Sequence, residues 1–394
     1  MRILLAPDSF KEAASAEVIA QAMARGIMRG DPQAECRLLP LSDGGEGLTQ
    51  ALVHATGGTL RDVETVDAIG RPITAQYGFL GNNHASCTLR TAVVELASAS
   101  GLERISPADR NALTTSTFGT GLLIRAAIDA GADRIVLGLG GSATTDGGTG
   151  LARALGFRFL DSTDHAIPLG GGTLADLAKI DDSEVPDSVK NIPIILACDV
   201  TNPLTGSEGA AHVFAPQKGA TTTQVERLDR GLANLAHAIM QYSGRDIEHT
   251  PGSGAAGGTG GGMLGLFNAS IRPGIELVLD LAHGREACAW ADVVITGEGS
   301  IDSQTPYGKV PSGIAKLAQS QGKPTIAIGG TVTRDPHTVE ALNKAGIIAT
   351  FGIAPGPADL TTLIANTERN VEITCAAIAS TLRITAATSP CESA

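Results

Sequence analysis

Five short apolar runs in this chain each break into a loop of glycines and acids. They are ILLAPDSFK from Ile3, RLLPLSDGGEG from Arg37, IVLGLGGSATTDGG from Ile135, IILACDVTNPLTG from Ile194 and VVITGEGSID from Val293. Helical patterns fill the intervals between most of them. A continuous apolar run of four to eight residues suits a strand covered on both faces, and strands that alternate with helices pair in parallel. The pattern therefore dictates an α/β layered architecture. In open sheets of that kind, ligands bind beyond the carboxyl ends of the strands, which is where these loops fall.

The two ends of the chain read alike. Arg2–Ala6 and Cys36–Leu41 are strands, and Ser15 caps a helix with Val18, Ile19, Ala22, Met23 and Ile27 on one face. Asp292–Thr296, Thr325–Gly329 and Ile347–Ile353 are further strands, with Val310, Ile314 and Leu317 on the buried stripe of an intervening helix. A last helix from about Ala358 places Leu360, Ile364, Val371, Cys375, Ile378 and Leu382 inward. Five strands suffice for one doubly wound parallel sheet.

The middle differs. Residues 59–96 read as successive strands without a helix, broken at 69–72 and 81–83, which is an antiparallel meander. A helix (119–130) and strands at 134–139 and 192–197 follow. The expectation is a split outer domain, 1–57 and 268–394, interrupted by an inserted α/β domain with a mixed sheet over 58–267. The GSGAAGGTGGG run (252–262) reads as a connector or a binding loop.

A length of 394 residues accommodates two or three domains. The formal charge of −12 disfavours a phosphate-backbone partner, because nucleic-acid binders carry a basic excess. An anionic small molecule stays compatible, since it needs only a local cation or a helix start. The six cysteines are scattered, with no C-x-x-C and no zinc-type spacing, and read as free thiols in a reducing compartment. The opening MRILLAPDSFK meets Pro7 and Asp8 too early for a signal peptide, and no stretch nears the roughly 18 apolar residues of a membrane span. The expected setting is the cytoplasm, with no nucleic acid and no membrane as partner and a homodimer allowed for.

The loops offer carboxylates, a few lysines (Lys11, Lys218, Lys309) and glycines, without a histidine or cysteine constellation. That mix suits phosphoryl transfer, which needs Mg²⁺ on one or two carboxylates, cations and amides around phosphates, and a base for the acceptor hydroxyl. Two other readings stay open. Gly138-x-Gly140-x-x-Ala143, with Asp161 further on, approaches a dinucleotide fingerprint and so an oxidoreductase. Two α/β domains also suit a ligand-binding protein without catalysis. An acid or serine after a strand, moreover, is what a helix cap alone would require.

Taken together, APDSFK (6–11), SDGGEG (42–47), GLGGSATTDGG (138–148), ACDVTNPLTG (197–206), GAAHVFAPQKGA (209–220), GSGAAGG (252–258) and TGEGSIDSQTPYGKVPSGIA (296–315) resemble the signature blocks of bacterial class I glycerate kinases. Glu12 stands where that family usually has a small residue, and Ser42 opens a block expected as ADGGEG. The resemblance implies a flavodoxin-like domain interrupted by a second α/β domain. It also implies ATP-dependent phosphorylation of D-glycerate at the 2-hydroxyl, giving 2-phosphoglycerate; the residues themselves leave a 3-kinase open.

The roles expected on this reading place Asp8, Ser9, Lys11, Asp43 and Glu46 around the acceptor, joined by Asn202 and Lys218, with Lys11 and Asp43 counted as catalytic beside Asp199. Gly140, Gly141 and Ser142, with Asp146 nearby, cradle nucleotide phosphates. Glu298 and Asp302 hold Mg²⁺ while Lys309 offsets phosphate charge, and Asp199 is the base, oriented by Asn202.

Overall fold

The computed structural model describes residues 1–45, 47–81 and 89–388. The chain divides into two compact units: Met1–Asp43 with His54–Thr56 and Ile275–Ala394, and Gly44–Val53 with Gly57–Gly274. No helix among the described residues is long and apolar enough to cross a membrane.

The first unit is built on five parallel strands in the spatial order Ile347–Gly352, Thr325–Val332, Val293–Ile301, Arg2–Pro7, Glu35–Leu38. Numbered within the unit and read from the other edge, this is 2-1-3-4-5, the flavodoxin-like order. The order reverses between Arg2–Pro7 and Val293–Ile301. Ile3, Leu5, Ile295 and Ile328 form one core with the helix Ala16–Gly30, whose start is fixed by Ser15 Oγ accepting from the Val18 amide at 3.3 Å.

That helix packs closely on Thr367–Thr388. A β-carbon at Gly26 would lie 2.4 Å from the Glu372 carbonyl oxygen, and one at Gly30 would lie 2.3 Å from that of Ala376. Val371, Cys375 and Ile378 are buried in the seam, as the apolar spacing predicts. Leu360 is not: it is 69% exposed, on a separate short helix, Leu360–Ala365, that Asp359 caps. The cap ends one helical phase and begins another, so a single stripe cannot run through both.

The second unit carries a mixed six-stranded sheet in the order Ala269–Arg272, Ile194–Ala197, Arg134–Gly138, Thr91–Glu95, Pro72–Phe79, Thr59–Val66. The last three strands run antiparallel to one another, while Thr91–Glu95 through Ala269–Arg272 are parallel. Arg158–Leu160 and Lys179–Asp181 form a separate antiparallel pair. The helices Phe118–Asp129 and Thr222–Ser243 bury Leu123, Ile124, Leu228, Leu232, Leu235 and Ile239, and the latter begins in a capping box of Thr221 and Gln224.

The unit boundaries fall away from 57 and 267 for identifiable reasons. Ala269–Arg272 hydrogen-bonds to Ile194–Ala197, which carries the second unit on to Gly274. Gly47 and Thr49 are tied through their amides to Glu95. The run at 252–262 is neither a connector nor an open loop. Ala255–Leu266 is a buried helix whose Ala256, Gly257 and Gly258 all adopt left-handed backbone angles. A β-carbon at Gly257 would meet the Thr144 carbonyl oxygen at 2.0 Å, and one at Gly262 that of Gly147 at 2.0 Å. The glycines let this helix press against the 144–148 loop.

Replacing Gly26 by alanine should lower stability by about 1–3 kcal/mol through overpacking, although alanine is the better helix former by about 1 kcal/mol. Denaturant unfolding followed by circular dichroism measures it, and a neutral or stabilising result would show that the two helices can separate freely.

Candidate active site

In the first unit the sheet brings distant acids to one place. Arg2–Pro7 and Val293–Ile301 run in register from Ile3 opposite Val293 to Pro7 opposite Gly297, so the next residues, Asp8 and Glu298, emerge together at the switch point. The Asp8 amide donates to the Gly297 carbonyl at 2.8 Å, and its carboxylate Oδ1 accepts from the Ser9 amide at 2.7 Å. The Leu41 amide donates to the Pro7 carbonyl at 2.9 Å, which leads the chain towards Ser42 and Asp43.

Burial and the neighbouring negative charge of Asp43, with a smaller contribution from Glu298, push the Asp8 carboxyl up to about 8. The Ser9 amide and Lys11 oppose this without cancelling it. Lys11 is exposed on the turn that Phe10 and Ala14 close, and Glu12 beside it takes a left-handed φ of 64°. The position reserved for a small residue in the resembling family is thus one where a side chain is conformationally disfavoured.

Glu298 is buried. Its Oε1 accepts from Thr305 Oγ1 at 2.6 Å, and that hydroxyl accepts from the Asp302 amide at 3.0 Å. Lys309 Nζ lies 3.4 Å from Glu298 Oε2 and 3.6 Å from Asp302 Oδ1. Burial pushes Glu298 up, with Thr305 and Lys309 pulling it back. Asp302 is nudged up by burial but held below its ordinary range by the Gln304 amide and Lys309. Glu298 and Asp302, the two acids expected to hold a metal, therefore share one lysine.

Among the described residues no three His, Cys, Asp or Glu side chains form a cation cage. Mg²⁺ needs none, because it keeps several waters and is held through one or two carboxylates together with substrate phosphates. The all-oxygen acids at this strand end are the donor type that it prefers, so Glu298 and Asp302 fit it.

The second unit treats its loops differently. The helix Leu48–Thr56 does not offer its start to a ligand, because buried Glu95 accepts from the Gly47 amide at 3.0 Å and the Thr49 amide at 2.6 Å. Asp146, expected to touch the nucleotide, is fully buried and accepts from the amides of Thr117, Gly148 and Gly150 and from Thr117 Oγ1. Burial pushes it up and those donors pull it down. It shapes the loop and caps the short helix behind it.

At the loop's crest Gly141 is exposed, Gly140 is half-buried and Ser142 is buried. Gly141 is left-handed, and the amides of Gly140, Gly141 and Ser142 donate to no other described group. Successive amides around such a residue form an anion-binding concavity. Lys218, expected at the substrate, is instead buried beneath it, donating to Ser142 Oγ at 2.8 Å and the Thr144 carbonyl at 2.6 Å.

Asp199 is exposed, and its Oδ1 accepts from the Gly274 amide at 2.8 Å. Asn202 does not orient it through the amide nitrogen, which donates to the Glu208 carbonyl at 2.8 Å. Ser9 is half-buried beside Asp8, and Glu46 lies outside the described residues. The dinucleotide alternative fails on geometry. Asp161 follows a strand of the separate two-stranded sheet, and its carboxylate is taken by Thr163 and the His165 amide of its own turn. Glu95, Thr117 and Thr305 were missed from sequence; only Glu95 left a signal, as the acid that ends the apolar run TAVVE.

Because Asp8 holds its proton to about pH 8 when folded but only to about 4 when unfolded, the unfolded chain binds fewer protons there, and stability falls as pH rises between those values. Asp8→Asn should raise the melting temperature at pH 8, with the gain vanishing near pH 4. A gain independent of pH, or a loss at pH 8, would contradict the assigned burial and repulsion.

The family model described as the glycerate kinase family matches residues 3–383. The chain is similar to a glycerate kinase of Bacillus subtilis (strain 168), 44% identical over 384 residues, 98% of each chain. It is also similar to a glycerate 2-kinase of Escherichia coli (strain K12), 40% identical over 353 residues, 90% of each. A solved structure from Salmonella typhimurium LT2, assigned provisionally as glycerate kinase 2, superposes with a TM-score of 0.87 at 43% identity, covering 98% of this chain and 99% of that one.

Proposed function

The chain belongs to the glycerate kinase family, and from that premise we propose that it transfers the terminal phosphoryl group of ATP to the 2-hydroxyl of D-glycerate, giving 2-phosphoglycerate and ADP. The observation that carries the reading is the crowding of Asp8 with Asp43 and Glu298 at the switch point of the first unit. A general base works best with a proton affinity near the working pH, and Asp8 has one. Asp199, the residue expected in that role, is exposed and holds the Gly274 amide, so the assignment moves to Asp8. The 2-position is supported by the Escherichia coli relative, whose name specifies it.

Lys11 and Lys309 supply positive charge on this edge of the first unit: Lys11 towards Asp8, Lys309 between Glu298 and Asp302. Glu298 and Asp302 would hold Mg²⁺, which would neutralise charge on the phosphates. In the second unit, the amides of Gly140, Gly141 and Ser142 receive phosphate oxygens.

Purified protein given ATP, Mg²⁺ and D-glycerate should release ADP in step with glycerate consumed, and phosphorus NMR should show a phosphate coupled to the single proton on carbon 2. Coupling to two protons would mean 3-phosphoglycerate. Binding of glycerate without ADP release would leave a ligand-binding protein. Asp8→Asn should lower kcat by about 10²–10⁴-fold, against a smaller loss for Asp199→Asn. The reverse ranking would return the base to Asp199.

A further inference from the structure

Lys218 is only 2% exposed, yet it carries the most polar group that a side chain can bury. Its amine reaches two acceptors, Ser142 Oγ at 2.8 Å and the Thr144 carbonyl at 2.6 Å. Such depth is costly for an ammonium, and burial pushes Lys218 down to about 7, with Asp146 pulling it back up. Asp146 is the neighbour whose charge favours a proton there. Its carboxylate also accepts from Thr117, Gly148 and Gly150. Arg110 donates through Nη1 to the Gln217 carbonyl at 3.4 Å and adds positive charge. On the preceding short helix, His212 faces Asp229 at 3.5 Å, both part-exposed.

Two consequences follow from donor and acceptor counting. A lysine amine accepts no hydrogen bond once charged, so in that state Ser142 Oγ must accept from it and turn its own hydroxyl proton elsewhere. Ser142 lies on the crest beside exposed Gly141, where three amides are free of described partners. A neutral amine satisfies both acceptors with its two protons, whereas the third proton of an ammonium has no acceptor among the described residues.

We propose that Lys218 is a positioning residue: it aims the Ser142 hydroxyl as a donor at a nucleotide phosphate seated on the Gly140–Ser142 amides, and it takes up one proton from solvent as that phosphate binds. The amine becomes an ammonium and no other bond changes. The proposal rests on the reading of this loop as the phosphate site. The incoming negative charge restores the proton that burial had loosened, and the lysine then counters the phosphate through Ser142 without touching it. Sequence reasoning placed Lys218 at the substrate; its geometry puts it one residue behind.

The test is calorimetry of ATP binding to the full chain at pH 8, in buffers of low and high ionisation enthalpy. Wild type should take up on the order of one proton per ATP, and Asp8→Asn should do the same. Lys218→Met should lose the uptake and weaken ATP at least about tenfold while the KM for glycerate stays within about twofold. Ser142→Ala should weaken ATP similarly, and the double variant should be no worse than the weaker single one. Lys218→Arg, permanently charged, should bind without uptake. Heats independent of buffer in wild type, uptake on adding glycerate in place of ATP, or wild-type ATP affinity in Lys218→Met would each overturn the proposal. Should Lys218→Met not fold, the wild-type measurement still decides. Proton uptake with ATP in a protein that never phosphorylates glycerate would sink the functional reading and leave this one standing.

Discussion

The first unit carries one electrostatic strain, in which half-buried Asp8 and Asp43 share a corner with buried Glu298. Burial is the larger cause that moves Asp8 from its ordinary range, and like charge adds to it. Burial disfavours the charged form, and Asp43 and Glu298 add to the penalty, while the compensating lysine, Lys309, sits on Glu298 and Asp302 instead. An arrangement of this kind costs folding energy. Perturbed carboxyls of this kind cluster at functional sites.

The second unit resolves the same problem in the opposite way. Its helix starts are closed by the protein's own anions, Glu95 for Leu48–Thr56 and Asp146 for Thr149–Ala154. Buried amides must be paired somewhere, and an internal carboxylate satisfies several at once. At Gly140–Ser142 the backbone turns left-handed at exposed Gly141, and the three amides donate to no described group. The helix Ala255–Leu266, glycine-rich and buried, backs this loop at van der Waals distance.

Much of this was legible in the amino-acid order. Apolar runs ending in acids announced both sheets and the strand ends that carry Asp8, Glu298 and the 138–148 loop. The Lys309 block was also visible, because its lysine and acids stand a few residues apart. The failures share a cause: the role of a polar residue depends on partners that local pattern does not name. Asp146 and Lys218 look like ligand contacts until their burial is known. Asn202 looks like an orienting neighbour until its amide is found on Glu208. The unit boundary near Gly44 was hidden because it is decided by Glu95, far along the chain. The glycine run at 252–262 looked open because glycine marks both loops and the closest helix contacts.

The pairing of Arg2–Pro7 with Val293–Ile301 joins segments 290 positions apart, as in the contact between Ile3 and Val293. During synthesis the first strand emerges long before its neighbour exists, so half of a sheet must wait with unpaired edges. The stretch from Gly57 to Gly274 has no such dependence and can condense while the ribosome is still working. Once it does, it acts as a staple that shortens the effective distance between the waiting strand and its late-arriving partner. The insertion is then a folding aid as well as half of the enzyme.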